Sequence, residues 1–143
     1  MLKGNNSTTT VVVTADAMVT TNKMVNSKLA SISALVNFGP NNGEDPGSYL
    51  LSDSGGDLWG TTEAGGANYN GTLFEIPYNS GHYSGTQITV SSFGAGAYAA
   101  GGPSSGLIAD QAGNLLGATQ AGGAKGDGAV YESLTAISRT RRI

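Results

Sequence analysis

The sequence contains no cysteine, which excludes a disulfide framework, a thiolate metal site and a cysteine nucleophile. It contains one histidine, His82, so a zinc site built on several imidazoles is excluded as well. Charged residues make up only 12% of the 143, about half the usual share. No Lys or Arg occurs between Lys28 and Lys125, whereas that stretch holds Glu44, Asp45, Asp53, Asp57, Glu63, Glu75 and Asp110. Such an acidic body repels phosphate and anionic lipid, which argues against nucleic acid as a partner. No apolar run approaches the ~18–20 residues needed to cross a membrane. Val11 to Val13 is too short for the apolar part of a secretory signal, so export would need a signal outside this chain.

Glycine is what the chain has in excess: 23 residues, roughly twice the average share. It does not recur every third residue, which excludes a collagen helix. With 38% apolar residues and a net charge of −3, the chain has the composition of a folded domain, not of a charged disordered one. All glycines but Gly4 lie between Gly39 and Gly128. The first 38 residues are instead rich in Thr, Ser, Asn, Val and Met, so a boundary is expected near residues 31–38. Thr8 to Thr14 is β-branched throughout and predicts a strand. Met18, Val25, Leu29, Ile32 and Val36 have helical spacing, but Thr20, Thr21, Asn22, Asn26 and Ser27 are weak helix formers. A loop or short helix is expected there.

The glycine-rich part is an internal repeat. Residues Pro46 to Ile76 align with Pro103 to Ser133 at a constant offset of 57, without gaps and with 14 of 31 positions identical. Upstream, Leu35-Val36-Asn37-Phe38-Gly39 matches Val90-Ser91-Ser92-Phe93-Gly94. Short apolar runs between turn residues predict strands near 32–38, 48–52, 57–62 and 72–77, and again near 87–93, 105–109, 114–119 and 129–134. Even spacing of short strands suggests a propeller, sandwich or barrel.

Two aligned turns have a clear chemistry. Asp53-Ser54-Gly55-Gly56 and Asp110-Gln111-Ala112-Gly113 each place an acceptor at the head and a glycine fourth, the pattern of a tight turn. Asn70-Gly71 and Asp127-Gly128 are the dipeptides best suited to a type I′ hairpin turn.

Candidate reactive groups are sparse. His82 lies between the repeats and no nucleophile elbow accompanies it, so it reads as an exposed connector residue. Glu63 and Glu75 are imaginable as a glycosidase pair, but Glu63 becomes Gln120 in the second repeat. Glu75 and Glu132 share an aligned position, expected on the outer face of a last strand. No cofactor is implied. Calcium in the Gly122–Asp127 loop is the alternative kept, although Lys125 stands where calcium-binding glycine-rich repeats want glycine. Gly65-Gly66 and Gly122-Gly123 lack the Lys-Ser/Thr of a phosphate loop. Trp59, the sole tryptophan, has two readings. With Tyr49 and Tyr69 it would form a sugar-stacking platform; alone, it fills the core position that Leu116 fills in the second repeat.

The spaced pattern L-x-x-F-G, then D-x-x-G-[ND]-L-x-G-x-T, then G-G-A-x-x-x-G-x-[LV]-[FY]-E resembles the GloVer repeat of bacterial choice-of-anchor tandem-repeat proteins. The matching positions include Phe38 and Phe93, Asp53 and Asp110, Gly56 and Gly113, Gly60 and Gly117, and Gly71 and Gly128. The D-x-x-G-N-L-x-G-x-T core is also similar to blades of bacterial β-propellers. The resemblance spans residues 32–134 and implies an all-β fold of two propeller-blade-like antiparallel sheets, a partial β-propeller. The expected organisation is an N-terminal extension (1–31), a first blade (32–80), a second blade (81–134) and a basic tail (135–143). It implies an extracellular or cell-surface, non-catalytic repeat module that contacts protein or glycan, or associates with itself. A carbohydrate-binding module, or a piece of a secreted carbohydrate-active enzyme, is the alternative. Two such sheets leave an apolar face uncovered, so self-association or marginal stability is expected.

Overall fold

The computed structural model describes residues 23–25, 28–96 and 99–134. The chain divides into two units, Met1–Ala34 and Leu35–Ile143, and the division falls where the composition changes. Among the described residues the fold is all-β, with antiparallel sheets, no helix and no closed sheet. The strand expected at 8–14 and the tail at 135–143 lie outside the described residues.

In the first unit, β1 (Lys23–Val25) pairs with β2 (Lys28–Ala30) as an antiparallel hairpin. A short helix was one expectation for this segment. The described residues 23–25 and 28–30 are extended instead, so the helical spacing of Val25 and Leu29 does not make a helix there.

The second unit holds two four-stranded sheets. The first has the order β3 (Leu51–Ser52), β4 (Leu58–Thr62), β5 (Thr72–Ile76), then β8 (Ile88–Ser92). Between β5 and β8 the chain makes a small hairpin of β6 (Tyr78–Asn79) and β7 (His82–Tyr83). The second sheet has the order β10 (Ile108–Ala109), β11 (Leu115–Ala121), β12 (Ala129–Ser133). Farther along β11, β9 (Gly101–Pro103) pairs on the same side as β10.

The structure corrects two expectations here. No strand forms at 32–38. Its aligned counterpart in the second repeat, β8, does form, and it pairs with β5 of the first repeat: Thr72 faces Ser92 and Leu73 faces Ser91. The first sheet therefore takes its fourth strand from the second repeat. A strand is stable only beside a partner, and residues 32–38 have none among the described residues.

Within each sheet the register assigns the faces. Leu51, Trp59, Thr61 and Leu73 share one face of the first sheet. This face packs on Leu107 and on Leu115, which points back from the second sheet, with Val90, Phe93 and Tyr131 around the rim. Burying side chains such as Leu73 and Leu115 removes them from water at about 1.5–3 kcal/mol each.

Glycine makes the close approaches possible. Gly71 has φ 94°, and a Cβ there would lie 2.1 Å from the Thr62 carbonyl oxygen; at Gly128 the φ is 99° and the Thr119 oxygen would be 2.4 Å away. Replacing Gly71 with Ala is expected to destabilise the protein by roughly 2 kcal/mol or more, since it adds backbone strain to a clash with main chain. Denaturant unfolding measures it; an unchanged midpoint overturns this reading.

Candidate interaction surface

The aligned turns carry out the chemistry expected of them. Asp53 Oδ1 accepts from the N–H of Gly55 (2.8 Å) and of Asp57 (3.1 Å), and the Gly56 N–H donates to the Asp53 carbonyl (3.2 Å). Asp110 Oδ1 accepts from the Asn114 N–H at 2.8 Å, and Gly113 repeats the bond of Gly56. Gly56 and Gly113 both have φ 90°. Each is thus a three-residue hairpin loop closed by a left-handed glycine. The backbone N–H of Asn114 foremost holds the Asp110 carboxyl below its ordinary pKa, against an opposing effect of desolvation. The second carboxylate oxygens differ in partner: Asp53 Oδ2 accepts from the Trp59 indole N–H at 3.2 Å, and Asp110 Oδ2 from the Asn114 amide at 2.9 Å.

The type I′ turn is not formed at Asn70-Gly71 or Asp127-Gly128. These dipeptides end nine-residue and seven-residue loops, respectively, between β4 and β5 and between β11 and β12. The bend is made earlier, where the Tyr69 N–H donates to Gly66 and that of Gly126 to Gly123. Gly71 and Gly128 then donate to the carbonyls of Gly65 and Gly122, both at 3.0 Å. Glycine is required by the left-handed backbone and by the nearby carbonyl, rather than by a two-residue reversal.

The proposed aromatic platform is not assembled. Trp59 is buried in the core, whereas Tyr49 and Tyr69 are exposed. Tyr49 lies against Gly106 of the second repeat, and Tyr69 takes a left-handed backbone with φ 60°. His82 is exposed on the β6–β7 hairpin, opposite Asn79. Glu63 is exposed in the loop after β4, and Glu75 faces Trp59 across β4 and β5. Among the described residues no three His, Asp or Glu side chains converge.

A cleft of about 290 Å³ lies between β8 and β12, lined by Ser91, Ser92, Phe93, Tyr131 and Glu132 among others. Phe93 meets the Tyr131 ring edge-on at 4.8 Å, and Phe38 meets Phe74 at a tilt at 4.9 Å. Gly60 and Gly117 make room for these rings, since a Cβ would stand 2.6 Å from Phe74 and 2.3 Å from Tyr131. The Tyr131 hydroxyl is buried without a hydrogen-bond partner, and burial pushes its pKa up to about 12.

The feature that the sequence reading did not locate is a sheet face. The register puts Ile108, Leu116, Ala118 and Val130 on the face of the second sheet that matches Leu51, Trp59, Thr61 and Leu73 in the first. Leu73 is 1% exposed, whereas its counterpart Val130 is 79% exposed. Ile108 is exposed as well. The signal was present in the alignment, which shows the positions of Ile108, Leu116 and Val130 apolar in both repeats. Comparison of the chain with known protein families, with curated proteins and with solved structures finds no match.

Two measurements test this description. Asp53→Ala is expected to destabilise by about 1–2 kcal/mol, because two backbone N–H groups and the Trp59 indole lose their acceptor; unchanged stability would show that water replaces the carboxylate. Tyr131→Phe is expected to gain of order 1 kcal/mol at neutral pH by removing an unpaired buried hydroxyl. A tyrosine pKa raised on folding favours the folded state below pH ~10, and that contribution is lost as pH rises towards 12. Unfolding curves should show this alkaline loss in the natural protein and not in Tyr131→Phe.

Proposed function

We propose that this chain is a non-catalytic β-repeat module that acts by surface contact, in the manner of a propeller-like repeat protein of the cell surface. The observation that carries the reading is the apolar face of Ile108, Leu116 and Val130, with Ile108 and Val130 exposed, on a sheet whose counterpart buries Trp59 and Leu73 at the positions of Leu116 and Val130. Contiguous apolar surface on a folded domain is the mark of a docking site. The resemblance to bacterial exported tandem repeats supports the extracellular setting. Blade-like stacking is supported by the way one sheet's face packs on the back of the next.

The carbohydrate reading loses its central aromatic, since sugar stacking needs an accessible ring face and Trp59 has its indole N–H bonded to Asp53 in the core. The ionisable groups among the described residues lining the β8–β12 cleft are Glu132 and Tyr131. A base beside a nucleophile is what acyl transfer would require there.

Trp59 fluorescence is the test. As the sole tryptophan it is expected to emit at the blue end of the range, as buried indoles do, and to stay unmoved by a panel of mono- and oligosaccharides. A saturable shift or quench with any sugar overturns the reading in favour of carbohydrate binding.

A further inference from the structure

The contact that joins the two repeats is directional. On its receiving side are the β5 edge and the face of Trp59 and Leu73. On its donating side are Val90 and its neighbours in β8, then Phe93, Leu107 and Leu115. Each side has an aligned equivalent elsewhere in the chain: Ile108 and Val130 of the one, and Leu35 and Leu50 of the other, are exposed, whereas Phe38 and Leu58 are half-buried.

The receiving side recurs in the second sheet. There β12 pairs with β11 on one flank and has no strand on the other among the described residues. Its face presents Ile108, Leu116 and Val130. The donating side recurs at the start of the first repeat. Leu107 is 7% exposed on the Trp59 face, whereas its counterpart Leu50 is 53% exposed. Val90 is partly buried, whereas its counterpart Leu35 is exposed. Phe38 already packs on Phe74 as Phe93 packs on Tyr131, so the segment before it sits at the place that β8 occupies in the second repeat. That segment, 35–37, forms no strand in this chain.

We infer that the chain associates head to tail with a second molecule of itself. Leu35–Asn37 of the second molecule adds to the open edge of β12, and Leu50 of the second molecule covers the Ile108–Val130 face. The register follows from the intramolecular pairing: Ser92 opposite Thr72 and Ser91 opposite Leu73 become Asn37 opposite Ala129 and Val36 opposite Val130. An open edge strand with an apolar flank is a template for such addition. The contact is heterologous, so each assembly keeps one free head and one free tail, and growth gives a ring where the rotation closes and an open filament where it does not. This inference rests on the docking role proposed above and names the occupant.

Light scattering on three proteins tests it. The natural chain, of 14.3 kDa, should show a mass that rises with concentration to well above the monomer. A tail variant, Ile108→Glu with Val130→Glu, and a head variant, Leu35→Glu with Leu50→Glu, should each remain monomeric. An equimolar mixture of the two should give dimers and nothing larger, because one good head meets one good tail. Unchanged circular dichroism and Trp59 emission show that both variants fold. If either variant unfolds, Val130→Thr and Leu50→Thr replace the glutamates, with the same mixture expected. The inference is overturned if the natural chain stays monomeric throughout, if the head variant still self-associates tail to tail, or if the mixture fails to pair. A monomer whose Trp59 ignores sugars overturns the self-association alone and leaves a different protein as the docking partner. A sugar response overturns the docking role itself.

Discussion

The pairing of β8 with β5 is the constraint on which the larger unit depends. A strand encoded in the second repeat completes the sheet of the first, so the first repeat does not form its full sheet alone. The exchange brings Val90 and Phe93 against the Trp59 face and delivers the chain into the second sheet at the right height for Leu107 and Leu115 to close the core. A long-range ladder of this kind costs loop entropy before its contacts form. It is held by the apolar burial that follows, and the two repeats are thereby bound into one cooperative unit.

Around this ladder, the same local devices occur twice. Ser48 Oγ accepts from the Thr61 N–H at 3.2 Å, and Ser105 Oγ accepts from the Ala118 N–H at 2.8 Å. Thr62 and Thr119 each donate a hydroxyl to a carbonyl two residues on and accept from the N–H across the ladder. These bonds satisfy polar groups that burial removes from water. They let Thr62 and Thr119 stand buried beside the large apolar residues. The two repeats differ where their neighbours differ. Asp53 holds an indole, whereas Asp110 holds an asparagine amide whose other contact is Glu132, at 3.1 Å.

Much of this was legible in the residues. Turn chemistry is local, so Asp53, Gly56, Asp110 and Gly113 could be placed from spacing alone. The burial of Trp59 was one of two readings, and the alignment with Leu116 pointed to it. The nine-residue loop ending at Asn70-Gly71 was not legible, because a dipeptide suited to a hairpin carries no information on where the ladder stops. The absence of a strand at 32–38 was equally hidden. Its sequence resembles β8 closely, and what differs is the neighbour available to pair with it.

The sequence by itself determined the all-β character, the two-fold repetition, the acidic body and the tight turns, since each depends on residues close together in the chain. Tertiary structure alone decided which strand completes which sheet and which of two equivalent faces is covered. Leu73 and Val130 occupy equivalent positions, and one is buried while the other meets water. That difference arises from what packs on each face, because Leu107 and Leu115 lie on the face that holds Leu73.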